Sequence, residues 1–411
     1  MRALLGHRDF AVYWAGSTVS LLGDGIYFVA IAWQVYTISN TPRALAYIGV
    51  AWMLPQLAGL LFAGAASDRF DRRRIMIIAN ALSGLAIGSI GLLSVLCVLT
   101  LWQLWILVAV HGVGVALFIP AAGALVPQLV PENLLVEANA LRQFVRPLAM
   151  RLLGPALGGI IVSLLGPGEA FLVDAFTFFF ALAAFSLIRQ RPRPSTTADS
   201  QSLPHEIAAG LRFVASQSWL WISLLAAAIW LLIYVGPLEV LLPYLVKNQI
   251  GGSARSLGLV YAAGGLGAMI FAYTVARTGL PRRGLVFMYA LWSLCMFVLA
   301  SLALASALWQ AVIASFLVFG LLSTGEIVWQ TMLQRRVPNQ LLGRVASVDW
   351  FVSTALVPIS FVLTGPIAAT LGAETTLFAA GILGGTLMAA FIALPPIRTS
   401  EPAEQPQLAH A

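Results

Sequence analysis

Four ionisable side chains, Asp24, Arg146, Arg151 and Glu239, stand inside runs that are otherwise almost wholly apolar. A charge in a segment long enough to cross a bilayer is costly, so such residues usually face a partner, a cavity or a transported ion. Asp24 lies about twelve residues into its run, ~18 Å at ~1.5 Å per residue, which is near mid-membrane. Arg151 lies about seven residues into a later run, ~10 Å deep. Arg146 and Arg142 sit one and two helical turns nearer the end of that run. A pairing of Asp24 with Arg151 or with Arg146 is open on this spacing. Either couple suits proton exchange, in which substrate and proton compete at the carboxylate; it equally suits a counter-ion pair that only neutralises itself in a helix bundle. Glu239 follows a Gly236-Pro237 break and is a second proton or cation candidate. His111 reads as a packing residue, and Asp174 as a helix-start acid at the outer face.

The elements that must position these groups are membrane helices. The chain has 411 residues, 60% hydrophobic and 9% charged, against ~25% charged for a soluble domain. Apolar runs of roughly 20 residues, each long enough for the ~30 Å of hydrocarbon, recur throughout. Strands are excluded as spans because an open sheet edge cannot be satisfied in lipid. Twelve helical spans are expected, at 12–38, 44–66, 75–98, 102–124, 144–165, 170–189, 219–246, 256–276, 285–304, 307–330, 346–369 and 375–394. With the N-terminus inside, the cytoplasmic segments hold seventeen of the 23 Lys and Arg residues. The positive-inside rule therefore places both termini in the cytoplasm and accounts for most of the net charge of +7. No nucleic-acid partner is implied. Nothing in 1–9 reads as a cleaved leader.

Residues 190–217, beginning QRPRPSTTADSQSLPHE, have the composition of a linker, with a short surface helix expected over 205–216. Six spans precede it and six follow. VPENLLVEANALRQF (130–144) aligns without gaps on VPNQLLGRVASVDWF (337–351), with five identities in the fifteen positions. Such duplication fits two pseudo-symmetric halves, 1–189 and 218–397, rocking about a mid-membrane site, with 398–411 as a disordered cytoplasmic tail. Cys97 and Cys295 fall in separate runs and no His/Cys cluster exists, so neither disulfide, metal site nor cofactor is expected.

Residues 64–73, Gly64-Ala-Ala-Ser-Asp68-Arg69-Phe-Asp71-Arg72-Arg73, resemble the G-x-x-x-D-R-x-G-R-R loop between the second and third helices of the major facilitator superfamily. Asp71 stands where that loop usually has glycine. Ser20-Leu-Leu-Gly23-Asp24, Ala138-Asn139-Ala140, Leu333-Gln-Arg-Arg-Val-Pro338 and Gly343-Arg344-Val345 are similar to the branch of macrolide-efflux and enterobactin-exporter proteins. Gly154-Pro155-Ala-Leu-Gly158-Gly159 resembles the core of the motif of drug–proton exchangers, with Leu141 and Met150 in place of its two upstream glycines. Small residues there let helices approach closely. The resemblance implies an all-α integral membrane fold of two six-helix bundles. In that fold Gly64, Asp68, Arg69, Arg72 and Arg73 form a cytoplasmic gate, the arginines pairing with acids on neighbouring loops. Glu326 and Asp349 are expected to pair with Arg335, Arg336 or Arg344 at the same gate.

No phosphate loop of the G-x-x-x-x-G-K-[ST] type is present, so ATP is not the energy source within this chain. Neither G-x-S-x-G nor H-E-x-x-H occurs, which argues against an enzyme. The expected function is secondary active export of a drug-like or siderophore-like molecule in exchange for protons. Proton-coupled import and a non-transporting scaffold are the alternatives. The expected partners are a small-molecule substrate, protons and the lipid of a bacterial inner membrane, with the chain acting as a monomer. Charge sign does not name the substrate, since both acids and bases lie at mid-membrane.

Overall fold

The computed structural model describes residues 4, 6–69, 71–189 and 211–399, with the backbone alone over 60–69 and at 132, 136, 339, 340 and 399. Every element among the described residues is helical. The helices are α1 (Arg8–Ile38), α2 (Pro42–Arg69), α3 (Arg72–Val95), α4 (Leu101–Leu129), α5 (Leu135–Pro147), α6 (Gly154–Leu164) and α7 (Pro167–Ser186). There follow α8 (Ser218–Gly236), α9 (Leu242–Asn248), α10 (Ala254–Thr278), α11 (Gly284–Leu302), α12 (Leu308–Arg336), α13 (Asn339–Thr354), α14 (Val357–Leu371) and α15 (Ala373–Ile392). Among the described residues eleven helical runs are long and apolar enough to cross a membrane. The expected span at 44–66 falls within α2, a helix of 28 residues. Of the expected surface helix at 205–216, residues 211–216 are helical and the rest lies outside the described residues, as does most of the linker.

Two spans are interrupted by a single π-helical turn, Leu148–Leu153 between α5 and α6 and Pro237–Leu241 between α8 and α9. The second has a visible cause. Pro237 has no N–H to give the preceding turn, and the Gly236 N–H beside it is held by Ser360 Oγ of α14 at 2.8 Å. The expected span at 346–369 is also interrupted, as α13 and α14 meet at 355–356 just before Pro358.

Packing follows small residues. Gly84, Gly88 and Gly91 place α3 against Phe178, Ala175 and Leu172 of α7, so the two backbones lie close along this stretch. Helix α7 also packs on α1, and α4 on α2 and α3; later in the chain α12 packs on α10 and α11, and α15 on α11. Two seams join the earlier helices to the later ones, α6 on α10 and α2 on α14. At the first seam Gly158 faces Ile26 of α1 while Gly159 faces Ala254 and Gly258 of α10. The GPxxGG stretch is thus a three-helix contact, with Gly154 and Gly158 against α1 and Gly159 against α10.

The apolar core is divided. The larger cluster crosses between early and late helices near the C-terminal end of α1, joining Tyr36 and Ile48 to Leu241, Val246 and Phe361. A separate cluster lies at the opposite end of the early helices, built on Phe10, Tyr13, Met76, Leu125 and Phe185.

Candidate transport site

Asp24 stands near the middle of α1, partly exposed. The cation whose field reaches it is Arg146 of α5, not Arg151. Arg146 is exposed, because α5 is an amphipathic segment and not a uniformly apolar one. Arg151 belongs to a different couple. Its guanidinium carbon lies 5.4 Å from the Phe319 ring centroid on α12, within cation–π range, and its charge reaches Glu239. Among the described residues no contact ion pair within 4 Å joins either couple. Each carboxylate therefore has an arginine whose charge reaches it without a contact ion pair.

Arg151 and Glu239 both sit on the π turns, Leu148–Leu153 and Pro237–Leu241. A π turn inserts one residue and rotates the following side chains relative to the helix before it, which is why such turns recur at functional sites. Gly265 of α10 lets its backbone rest against the Arg151 carbonyl, bracing the first turn as Ser360 braces the second. The second couple joins elements from opposite sides of the linker, since Arg151 precedes it and Glu239 follows it, whereas Asp24 and Arg146 both precede it.

Hydrogen bonds between early and late helices gather at one end. Tyr36 Oη donates to the Val240 carbonyl at 2.6 Å, and Lys247 Nζ donates to the Tyr36 carbonyl at 2.5 Å. Asn40 and Asn248 exchange amide hydrogen bonds of 2.6 and 3.2 Å. The Lys247 ammonium also lies 5.4 Å from the Trp33 ring, and the Arg255 N–H meets Ser163 Oγ at 3.0 Å. These lie where α1 and α6 end and between the π turn at Pro237–Leu241 and the start of α10. At the opposite end Arg146 and Phe144 are exposed. Early and late helices are thus tied together at the first end.

A family model described as a transmembrane secretion effector matches residues 2–410. The chain belongs to this family, within the major facilitator superfamily. The multidrug efflux pump Tap of Mycolicibacterium fortuitum is 28% identical over 413 residues, covering 97% of each chain. The enterobactin exporter EntS of Escherichia coli O1:K1 / APEC is 25% identical over 405 residues, covering 96% of this chain and 95% of the exporter. The solved structure of the nucleoside transporter NupG superposes with a TM-score of 0.73 at 9% identity, covering 94% of this chain and 98% of that one. This member of the superfamily is thus a multi-pass protein of the cell membrane that carries small molecules, and not an enzyme.

The major facilitator loop is used partly as its resemblance implies. Asp71, in the glycine position, is the N-cap of α3: it accepts the Arg73 N–H at 2.9 Å, satisfying one of the free donors of a helix start. Arg72 and Arg73 reach carbonyls instead of acids. Arg72 bonds Ala124 O of α4 at 3.0 Å, and Arg73 bonds Phe185 O of α7 at 2.9 Å and also Ser186 O. The last carbonyls of α7 have no partner within their own helix, and a cation suits that end of the dipole. The side chains of Gly64, Asp68 and Arg69 lie outside the described residues. Asp349 accepts hydrogen bonds from Trp329 Nε1 at 3.0 Å and Ser353 Oγ at 3.3 Å. Glu326 is exposed, and its charge reaches Asp349.

The sequence reading placed Asp174 too near the membrane surface. Helix α7 begins at Pro167, not 170, after Gly166 at φ 119°, so Asp174 lies two turns inside and is fully buried. A glycine followed by proline at the first helical position is the signal that marks this start.

Proposed function

We propose that this transporter is a secondary active exporter of a small, partly apolar molecule, driven by protons moving inward. It crosses the membrane twelve times with both termini in the cytoplasm, as two six-helix bundles, residues 1–189 and 218–397, joined by a cytoplasmic linker over 190–217. It acts as a monomer. The observation that carries the reading is the pair of mid-span couples, Asp24 with Arg146 and Glu239 with Arg151, in a bundle whose early and late helices are hydrogen-bonded together at one end. A carboxylate that exchanges between proton and arginine changes net charge as the cavity changes sides, which is what coupling requires. The relatives' names, a multidrug efflux pump and an enterobactin exporter, support the outward direction. Protein reconstituted inside-out, with the vesicle lumen made acidic, should accumulate a macrolide or a catechol siderophore only while the pH gradient lasts. Accumulation that is indifferent to the gradient would remove proton coupling from the account.

Alternating access adds a second test. Because the Asn40 and Asn248 amides lie 2.6 Å apart, cysteines at both positions should be bridged by a short bifunctional thiol reagent in a Cys97→Ser background. Bridging should hold the bundle open to the cytoplasm and stop transport, with reduction restoring it. Full transport by the bridged protein would mean that this end never needs to open.

A further inference from the structure

Asp174 carries a second observation that the exporter reading does not use. It is 0% exposed, and its Oδ2 has no hydrogen-bond partner. Its Oδ1 is 3.3 Å from Thr177 Oγ, but that hydroxyl donates its single proton to the Asp174 carbonyl at 2.7 Å. The carboxyl group is thus left with half of a weak donor. A carboxylate with so little support does not stay ionised out of water; it either takes a proton or shares one with a neighbour.

The neighbour is Asp24. Gly23 has no side chain, and one there would strike both Asp174 Oδ1 and Thr177 Oγ1, so α7 brings Asp174 directly against the turn of α1 that carries Asp24. Asp174 and Asp24 thus stand on adjoining turns of α7 and α1, and like charges so placed repel. Phe171, Asp174 and Phe178 share one face of α7, and that face is covered by rings: Tyr27 lies 6.0 Å from Phe171 and His111 lies 5.6 Å from Phe178, with Tyr27 and His111 5.3 Å apart. His111 is itself 3% exposed, with an unpartnered Nδ1. The charged and titratable groups around Asp174 are accordingly Asp24 and Tyr27 from α1 and His111 from α4, with Arg146 of α5 acting on Asp24. Helix α3 presents glycines to α7, and α6 has no titratable residue.

We propose that Asp174 and Asp24 hold one exchangeable proton between them, making Asp174 a second and deeper proton site behind the carboxylate at the cavity. Two acids with one arginine carry one uncompensated negative charge, and a shared proton removes it. The proton arrives at Asp24, which is partly exposed, and passes to Asp174, which is not. No bond other than O–H is made or broken. When substrate engages Asp24, the proton is kept at Asp174 instead of being lost to the cytoplasm. This rests on the exporter reading for its purpose, but not for its test.

The test is infrared spectroscopy of the purified, substrate-free protein in lipid nanodiscs, titrated across neutral pH. The wild type should show the carbonyl stretch of a protonated, buried carboxyl group at pH 7. Asp174→Asn should abolish that band, and Asp24→Asn should keep it but move its frequency and its titration midpoint. A band that survives in Asp174→Asn and vanishes in Asp24→Asn assigns the proton to Asp24 alone and overturns the proposal, as does a wild type with no band. Should Asp174→Asn fail to give a monodisperse protein, Thr177→Val serves instead: loss of the hydroxyl should shift the band, and an unmoved band overturns the proposal. None of these outcomes depends on transport, so failure of the exporter reading and failure of the shared proton are separately visible.

Discussion

Asp24→Asn yields a protein that inserts, folds and binds substrate, but no longer concentrates it against a gradient. The stability side of this result follows from where Arg146 sits. Removing one partner of a buried ion pair strands the other charge at a cost of about 3–5 kcal/mol. Arg146, however, is exposed and makes no contact pair with Asp24, so the cost should stay within about 1 kcal/mol, as for surface pairs. Asparagine keeps the shape and cannot exchange a proton. Uphill accumulation should fall to the level of empty vesicles while downhill exchange persists. The measurements are thermal unfolding of the purified variant and paired uphill and downhill flux assays. A variant that unfolds, and is rescued by Arg146→Gln, would make Asp24 a counter-ion and move the coupling role to Glu239.

Gly158→Leu should stop transport from the packing side. A Cβ at this position would lie 2.9 Å from Ile26 O and 3.0 Å from Ile26 Cα. Those are backbone atoms of α1 and cannot rotate aside. Overpacking of this kind costs typically about 1–3 kcal/mol, less than the ~5–15 kcal/mol that holds a folded protein together. The variant should therefore be made and inserted, with a lowered unfolding temperature. Helix α1 must shift to admit the side chain, and α1 carries Asp24 and the closing contact of Tyr36 and leads into Asn40. Loss of flux should thus exceed the loss of protein. Leu157, the exposed neighbour, gives the control, since Leu157→Ala should leave flux unchanged. Wild-type flux in Gly158→Leu would mean that the close approach of α6 to α1 is dispensable.

Much of this was legible in the residues because a membrane imposes a simple rule: apolar runs mark helices, and charges within them mark places that lipid does not reach. Asp24, Arg146, Arg151 and Glu239 stand out in the sequence by that rule. Their partnerships do not. Spacing left Arg146 and Arg151 equally eligible for Asp24, and only the π turn at 148–153 turns Arg151 towards Glu239 and Phe319. That turn has no sequence signature, as it depends on how α10 packs against it. Asp174 was misjudged by three residues of helix boundary, the ordinary error of reading a helix end, although Gly166-Pro167 carried the correction. Arg72 and Arg73 were expected to meet acids because charges suggest charges, whereas the ends of helices offer carbonyls that are equally in need of a donor.

Proton coupling at Asp24 is tested most directly by loading vesicles with substrate and watching the lumenal pH with no pH gradient imposed. Substrate running downhill through the wild-type protein should drive protons the opposite way, seen as a pH change that starts when the loaded vesicles are diluted into substrate-free buffer and is absent in Asp24→Asn. Substrate flux through the wild type with no accompanying pH change would contradict the account.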